Sequence, residues 1–195
     1  MPSIDVRKKR IGCKIVYYGP GLSGKTANLR YIHDHLSPEN RGRLMSVAVK
    51  TEGNLYIDLL PVRFGKLGGF DVAYNLCSTP GKALYNKTRQ LVLKATDGVV
   101  FVADSRPERM DANVDSLENL LENLEAHDLR LRDMPNVIQY NKRDLPDVMP
   151  VSEMRSKLNI YGGLEFEAST VTGQGVMETL KAIIDASCRE IQQLL

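Results

Sequence analysis

Short runs of hydrophobic residues alternate along the chain with longer segments in which hydrophobic positions recur every three or four residues. The runs are rich in β-branched and aromatic residues and predict strands at residues 11–18, 54–61, 70–77, 98–103, 136–140 and 164–168. The periodic segments predict helices at residues 24–36, 82–95, 110–127, 151–158 and 176–195. A glycine-containing turn separates the second and third runs, so these two strands are expected to form an antiparallel hairpin.

Strands that alternate with helices in this way predict an α/β fold. We expect a doubly wound, mostly parallel six-stranded sheet with helices on both faces, in a single domain that covers residues 1–195. The polar segment 37–51 predicts a long loop, of a kind that is uncommon unless it has a function, and residues 44–49 within it resemble a short strand. Ligands of such folds bind beyond the carboxyl ends of the strands.

The first predicted strand ends in a glycine-rich segment that matches the pattern G-x-x-x-x-G-K-[ST] in full. This segment is Gly19, Pro20, Gly21, Leu22, Ser23, Gly24, Lys25 and Thr26, and Ala27 follows it in the predicted helix. A strand before it and a helix after it are the context that a phosphate-binding loop requires. Backbone N–H groups and the helix N-terminus would bind phosphate oxygens. Lys25 would reach the β- and γ-phosphates, and the Thr26 hydroxyl would ligate Mg²⁺.

The same segment also satisfies the dinucleotide fingerprint G-x-G-x-x-G, at Gly19, Gly21 and Gly24. That alternative needs an acidic residue about 20 positions later, at a strand end, to hold a ribose. The sequence has Arg43 and Leu44 there instead. The phosphate-loop interpretation is favoured because the fingerprint does not require a lysine and a threonine after its last glycine.

Four polar residues directly follow the fifth predicted strand: Asn141, Lys142, Arg143 and Asp144. Their order, N-K-x-D, resembles the guanine-specificity motif of GTP-binding domains. The resemblance implies that the Asp144 carboxylate accepts hydrogen bonds from the N1–H and the exocyclic amine of guanine, a pair of donors that adenine lacks. It also implies that Asn141 and Lys142 connect this motif to the phosphate loop and cover the base.

A third segment resembles the last base-contacting loop of small GTPases. It contains Ser169, Thr170 and Val171, and the Thr170 N–H would meet the guanine oxygen. Together the motifs resemble the Ras-like superfamily, and within it the bacterial MglA group, which controls cell polarity and surface motility. The stretches that carry this resemblance are residues 13–22, 79–81, 97–105 and 137–146. It implies GTP or GDP as ligand, Mg²⁺ as cofactor, and a roadblock-fold dimer of the MglB type, with effector proteins, as partners.

The sequence departs from the family's pattern after the third predicted strand. Most small GTPases have D-x-x-G-Q there, and this chain has Ser78, Thr79, Pro80, Gly81 and Lys82. The family's glutamine orients the attacking water, whereas Lys82 cannot accept a proton from it. Lys82, Gly81 and Lys25 are therefore the catalytic candidates, with Lys82 replacing the glutamine.

A second departure lies before the second predicted strand, where MglA proteins place an arginine and a threonine. The corresponding residues of this chain are Gly53 and Asn54. Gly53 supplies no charge, while Asn54 offers an amide oxygen to Mg²⁺ and is, with Thr26, the predicted metal ligand; Thr51 is the alternative. We therefore expect hydrolysis to be slow or dependent on a partner. The rival hypothesis is that Lys82, Arg41 or Arg43 replaces the lost charge.

The composition limits the choice of partners. A net charge of +2, from 26 basic and 24 acidic residues, argues against nucleic acid or an anionic membrane as the main partner. The three cysteines have neither metal-ligand nor redox spacing, which favours a reducing cytoplasm. Neither a lipidation motif nor a membrane-spanning run is found, so no direct membrane anchor is expected.

Three functional hypotheses remain open. The first is a nucleotide-dependent switch that binds and hydrolyses GTP. The second is a pseudo-GTPase, a binding or scaffold module locked in one nucleotide state, which the two departures favour. The third is a phosphate-loop kinase acting on a small molecule, which the N-K-x-D motif disfavours because such kinases rarely need to select guanine.

Overall fold

The computed structural model describes residues 2–49, 55–81 and 85–195. Within these residues one mixed sheet is formed by β1 (Ser3–Asp5), β2 (Arg10–Tyr18), β3 (Met45–Val49), β4 (Leu55–Leu67), β5 (Phe70–Ser78), β6 (Gly98–Asp104), β7 (Asn136–Asn141) and β8 (Leu164–Glu167). The strand order is β3-β4-β5-β2-β6-β7-β8, and β1 pairs with the start of β2. Pairing is parallel from β5 through β2, β6 and β7 to β8, and antiparallel at β1 and in the β3-β4-β5 part.

The helices are α1 (Lys25–His35), α2 (Asn86–Leu93), α3 (Met110–Glu125), α4 (Val151–Leu158) and α5 (Val176–Leu194). Successive side chains of β2 point to opposite faces of the sheet, as in any strand. Tyr17 packs in the core that contains α1 and α5, and Tyr18 packs in the core that contains α2, α3 and α4. The expected α/β fold, with a mostly parallel sheet covered by helices on both faces, is thereby confirmed.

The predicted strand count was too low, because the structure adds β1 and β3. All three residues of β1 are exposed, so the strand has no buried face that would give an alternating pattern. β3 falls in the predicted long loop, where residues 44–49 resembled a strand, and it pairs with β4 along Met45–Val49. Both additions lie at the margin of the sheet, where hydrophobic patterning is weakest.

The hairpin between β4 and β5 forms as expected but extends further than its hydrophobic pattern. The register shifts between Arg63 and Lys66, and Gly65 has a positive φ of 65°. The chain therefore passes Gly65 in a bulge and reverses only at Gly68 and Gly69, which also have positive φ. A glycine at a bulge and a glycine at a turn look alike in the sequence.

The register of the sheet brings the candidate motifs to one edge. Tyr17 of β2 lies opposite Ser78 of β5, and Asp104 of β6 lies opposite Asn141 of β7. The segments after these strands therefore meet above the carboxyl ends of the sheet, where ligands of doubly wound folds bind. Within the described ranges, no helix has both the length and the apolar content that crossing a bilayer requires.

Candidate nucleotide site

The phosphate loop, residues 19–26, follows a backbone path that two glycines make possible. Gly19 has a φ of 143° and Gly24 a φ of 109°, values that side chains rarely allow. A Cβ atom at Gly19 would lie 2.2 Å from the Val102 carbonyl oxygen, and one at Gly24 would lie 2.1 Å from Asn141 Nδ2. Only hydrogen fits at either position. Between them, Leu22 is also left-handed, with a φ of 65°, and its side chain is 85% exposed.

The Lys25 side chain folds back into the phosphate loop. Its Nζ donates to the carbonyl oxygens of Gly19, at 2.8 Å, and Pro20, at 2.6 Å. Burial, and then the positive charge of Arg89, lower the pKa of Lys25 to about 7. Both acceptors are neutral, so they compensate the ammonium less than a phosphate would. The loop thus presents a buried cation whose charged form would be favoured by an anionic ligand.

Thr26 contacts a carboxylate that the sequence analysis missed. The Thr26 hydroxyl donates to Asp58 Oδ2 at 2.6 Å, and the Ser46 hydroxyl donates to Asp58 Oδ1 at 2.6 Å. The Ser78 hydroxyl also donates to Oδ2, at 3.3 Å, and accepts the backbone N–H of Asp58. Asp58 is buried within β4. The available signal was the single charged residue within the predicted strand at residues 54–61.

This group of oxygen atoms fits Mg²⁺. The ion prefers hard oxygen ligands and commonly takes one or two carboxylates together with substrate phosphates. Asp58 supplies the carboxylate, and Thr26 and Ser78 supply hydroxyls within hydrogen-bond distance of it. Among the described residues, no three His, Cys, Asp or Glu side chains cluster to form a complete cage, so phosphate oxygens would have to complete the ligand set. The other predicted ligand, Asn54, lies outside the described residues, as does Thr51.

Asn141 joins the phosphate loop to the two loops predicted to read the base. Its Nδ2 donates to the Ser23 carbonyl oxygen at 2.7 Å, and its Oδ1 accepts the Thr170 N–H at 3.1 Å. Asn141, Ser23 and Ser169 are all fully buried. The Thr170 N–H, which the family resemblance directs to the guanine oxygen, is therefore engaged by Asn141 in this structure.

The other residues predicted to read the base are Ser169, Val171 and Asp144. The Ser169 hydroxyl accepts the N–H groups of Val171 and Thr172, both at 3.2 Å, while the Val171 side chain is 82% exposed. The Asp144 side chain is exposed at this edge. A carboxylate that is open to solvent here is free to receive donors from a ligand.

Lys142 forms an ion pair with Asp104. Its Nζ lies 2.7 Å from Asp104 Oδ2, and Arg106 reaches the same oxygen at 2.8 Å. Burial alone would raise the pKa of Asp104, but the hydrogen bonds from Arg106 and Lys142 outweigh it and hold that pKa below its usual range. Asp104 therefore stays ionised and fixes the end of the lysine side chain.

Two arginines that sequence reasoning missed lie at the phosphate loop. Arg109 Nη2 donates to the Gly21 carbonyl oxygen at 2.9 Å. Arg89 is buried in α2 and donates from Nε to the Pro80 carbonyl oxygen, at 3.0 Å, and from Nη2 to that of Gly81, at 2.8 Å. Its third nitrogen donates to Asn119 of α3. Arg89 thus holds the loop after β5, residues 79–81, to α3 through backbone carbonyls.

That loop contacts the phosphate loop directly. A Cβ atom at Gly81 would lie 2.4 Å from Gly21 Cα and 3.3 Å from Lys25 Nζ. The two loops therefore meet backbone to backbone beside the lysine ammonium. Lys82 and Gly53, at the expected catalytic positions, lie outside the described residues.

The proposed substitute cations Arg41 and Arg43 are placed differently from Arg89. Arg41 contacts His33 and forms an isolated bridge with Val62, four strand positions from Asp58. At about 3.3 Å per residue this is about 13 Å along β4. Arg43 is exposed. The structure thus places Arg89 and Arg109, rather than Arg41, next to the phosphate loop.

A cavity of about 590 Å³ lies between the phosphate loop and the loop after β5. Its lining includes Gly21, Leu22, Gly24, Lys25, Thr26, Ala27, Ser78 and Gly81. It brings the described part of the predicted phosphate and metal site together in one concave surface. The guanine motif reaches the other side of Gly24 through Asn141.

Comparison with known proteins agrees with this arrangement. Residues 78–187 match the ADP-ribosylation factor family. The chain is 47% identical, over 193 residues, to the mutual gliding-motility protein MglA of Myxococcus xanthus (strain DK1622), and the alignment covers 99% of each chain.

Proposed function

Since the chain belongs to the MglA group of small Ras-like GTPases, we propose that it is a molecular switch that binds and slowly hydrolyses GTP and regulates cell polarity or motility. The observation that carries this proposal is Asn141, which joins the phosphate loop to the base loop through hydrogen bonds at Ser23 and Thr170. A loop that only bound phosphate would not need that connection. A site that reads both ends of a nucleotide does.

The binding residues divide into two groups. Backbone N–H groups of residues 19–26, the start of α1 and the Lys25 ammonium bind the phosphates. The Asp144 carboxylate accepts from the guanine N1–H and exocyclic amine, while residues 169–171 close the side of the base site. Adenine cannot supply both donors, so Asp144 gives the guanine selectivity.

Thr26 and Asp58 would hold the magnesium ion, with Ser78 next to them. The ion would supply positive charge that stabilises the phosphate oxygens. Asn54 would add an amide oxygen to its ligands. Thr26 has a second role, because its hydrogen bond to Asp58 connects the phosphate loop to β4.

Hydrolysis is slow in the isolated chain. The sequence carries Lys82 where a water-orienting glutamine is expected and Gly53 where an arginine is expected. An arginine finger is worth about 10³–10⁵ in rate, so a chain without one depends on a partner. We propose a roadblock-fold dimer of the MglB type as that regulator, and effectors that bind the GTP form.

A single-turnover assay tests this proposal. The chain is loaded with GTP, and phosphate release is followed alone and with a purified roadblock dimer. We expect slow release alone and faster release with the regulator. Rates that match an ordinary glutamine-bearing GTPase in the absence of a partner would refute the slow-hydrolysis proposal, and failure to bind guanine nucleotide would refute the switch.

Two substitutions separate the explanations for slow release. Lys82→Gln should raise the rate if the missing glutamine is the cause, whereas Lys82→Ala should lower it if Lys82 supplies a compensating charge. Lys87→Gln, at an exposed position of α2, is the matched control. GTP that stays bound for hours, both with and without the regulator, would favour the second candidate function, a pseudo-GTPase. The presence of Gly53 and Lys82 at the two catalytic positions also supports that candidate.

A further inference from the structure

Three fully buried polar side chains lie beneath the nucleotide site and are not explained by contact with a ligand. They are Asn28 of α1, Gln139 of β7 and Thr179 of α5. Each belongs to an element that leads to or from a different loop of the site. α1 follows the phosphate loop, β7 precedes the guanine motif, and α5 follows the base loop.

The two amides form a reciprocal pair. Asn28 Nδ2 donates to Gln139 Oε1 at 2.8 Å, and Gln139 Nε2 donates to Asn28 Oδ1 at 3.0 Å. The second hydrogen of Gln139 goes to the Thr179 hydroxyl at 3.0 Å, and that of Asn28 goes to the Gly24 carbonyl oxygen at 3.0 Å. All four amide hydrogens therefore have a partner. A complete network of this kind fixes one arrangement of its members.

Both ends of the network terminate at a glycine that begins a helix. Gly24 precedes α1 and Gly175 precedes α5, and both are left-handed, with φ of 109° and 71°. Four residues later, Asn28 donates to the Gly24 carbonyl oxygen and the Thr179 hydroxyl donates to the Gly175 carbonyl oxygen at 2.6 Å. The chain of bonds thus runs from the last glycine of the phosphate loop to the last glycine of the base loop, through the strand that carries Asn141.

We propose that Asn28, Gln139 and Thr179 are positioning residues that fix the spacing between the phosphate loop and the base loop, and thereby set how long a guanine nucleotide stays bound. The proposal rests on the proposed nucleotide binding. None of the three side chains needs to touch the ligand. They act through Gly24 and Gly175, whose carbonyls they hold.

The surroundings argue against a network that merely fills space. Leu29 and Ile32 of α1 and Leu180 and Ile183 of α5 pack in the same apolar core. An apolar trio would fill the position without the need to satisfy polar groups, and replacing both partners of a buried hydrogen bond with apolar groups can be nearly neutral for stability. What an apolar trio would not provide is a directional link between the two glycine carbonyls.

Dissociation of fluorescent GDP tests the proposal in the full chain. Gln139→Met removes both bonds to Asn28 and the bond to Thr179, whereas Thr179→Val removes the bond from Gln139 and the bond to Gly175. Each variant is compared with the wild type at one temperature, below the Tm of every variant. We expect dissociation to accelerate about tenfold for Gln139→Met, which corresponds to about 1.4 kcal/mol, and by a smaller factor for Thr179→Val. The swapped pair Asn28→Gln with Gln139→Asn, which can re-form the amide pair, should dissociate more slowly than either of its single variants.

Thr96→Val is the matched control. Thr96 is also buried, and its hydroxyl donates to the Gly98 carbonyl oxygen at 3.0 Å, at the opposite end of the sheet from the site. We expect it to lower Tm but leave GDP dissociation within about twofold of the wild type. The proposal is overturned if Gln139→Met and Thr179→Val lower Tm and leave dissociation unchanged, as this control does.

A second ligand distinguishes a change in the spacing of the two loops from a deformation of the phosphate loop itself. GDP spans both loops, whereas inorganic pyrophosphate reaches only the phosphate loop. The Gln139→Met variant should therefore bind GDP more weakly than the wild type does, while its affinity for pyrophosphate stays within about twofold of the wild-type value. Equal weakening of both ligands would overturn the proposal, since it would mean that the phosphate loop itself is deformed. A wild-type chain that binds pyrophosphate but not GDP would overturn this proposal and the proposed function together.

Discussion

The loops proposed to hold the nucleotide and the loop proposed to face the γ-phosphate are fixed by different side chains, neutral polar groups in the first region and an arginine in the second. On the holding side, the buried Asn141 side chain bonds to backbone groups of two neighbouring loops, and the buried Ser169 hydroxyl bonds to backbone groups of its own loop. On the γ-phosphate side, the loop after β5 is fixed by a charged residue, Arg89, and by the contact of Gly81 with Gly21. Because different side chains fix the two regions, we expect substitutions to affect nucleotide binding and hydrolysis separately.

The largest effect is expected from Asp144→Asn, which attacks the holding side. The amide would lose two hydrogen bonds to a charged acceptor, each worth about 1.5–3 kcal/mol, so GDP affinity should fall by about 10²–10⁴-fold. Xanthosine diphosphate, which has an oxygen in place of the exocyclic amine, should then bind better than GDP. Calorimetric titration with both nucleotides measures the change, and Asp147→Asn, also exposed, should leave both affinities unchanged. GDP affinity within tenfold of the wild type would contradict the base-reading role.

Asp58→Asn tests the proposed magnesium site, which lies between the two regions. The amide keeps the size of the side chain but removes the charge beside Thr26 and Ser78. We expect the Mg²⁺ concentration needed for half-maximal retention of GDP to rise about 10–100-fold, as is common when a metal-site partner is lost. Asp71→Asn, which changes an exposed carboxylate at the far end of β5, is the control. Equal Mg²⁺ dependence in both variants would exclude Asp58 from the metal site.

The pH dependence of binding sharpens the role of Lys25. In the free chain the pKa of Lys25 is lowered to about 7, and a phosphate would raise it by favouring the ammonium. Above pH 7 binding must therefore take up a proton, so the affinity for GDP should fall by up to about tenfold per pH unit between pH 7.5 and 9. Below pH 7 the ammonium is already present and this slope disappears.

Calorimetry at pH 8 in two buffers of different ionisation enthalpy counts the protons taken up. Lys25→Arg stays charged at every pH in this range and should show no uptake. If the wild type also takes up no proton, Lys25 is charged in the free chain and the expected slope is wrong.

The smallest effect is expected from Arg89→Lys, which affects only the γ-phosphate side. Lysine keeps the charge but cannot donate to the Pro80 and Gly81 carbonyls in the fixed geometry of a guanidinium. GTP hydrolysis, with or without the regulator, should fall several-fold while GDP affinity stays within about twofold. Arg132→Lys, at an exposed position, should change neither. An equal loss of binding and hydrolysis would show that the two sides are not separable.

The fold was readable from the sequence because burial leaves a regular pattern. All seven residues of β6 are buried, and its predicted run of apolar residues has no interruption. α4 was predicted with the observed bounds, Val151–Leu158. β1 and β3 were harder because a marginal strand needs no continuous apolar face, so no period marks it.

The site was readable where a motif places its residues close together in the chain. The phosphate loop and the N-K-x-D motif have that property. Asp58, Arg89 and Arg109 do not, because their partners are hydroxyls and carbonyls contributed by distant segments. A charged residue in a strand or helix gives a weak sequence signal when its partner is an ordinary backbone group, which every residue carries.

The contact between Gly21 and Gly81 has a consequence for how the chain tolerates substitution. The two positions are far apart in the sequence, yet a Cβ at Gly81 would approach Gly21 Cα to 2.4 Å, while a Cβ at Gly21 would lie 3.3 Å from the Gly81 carbonyl oxygen. A methyl group added at Gly81 cannot be offset by a smaller residue at position 21, since Gly21 is already the smallest. Gly81 therefore limits any redesign of this protein. Libraries that vary the loop after β5 must keep Gly81, because a side chain there would force the phosphate loop away from it.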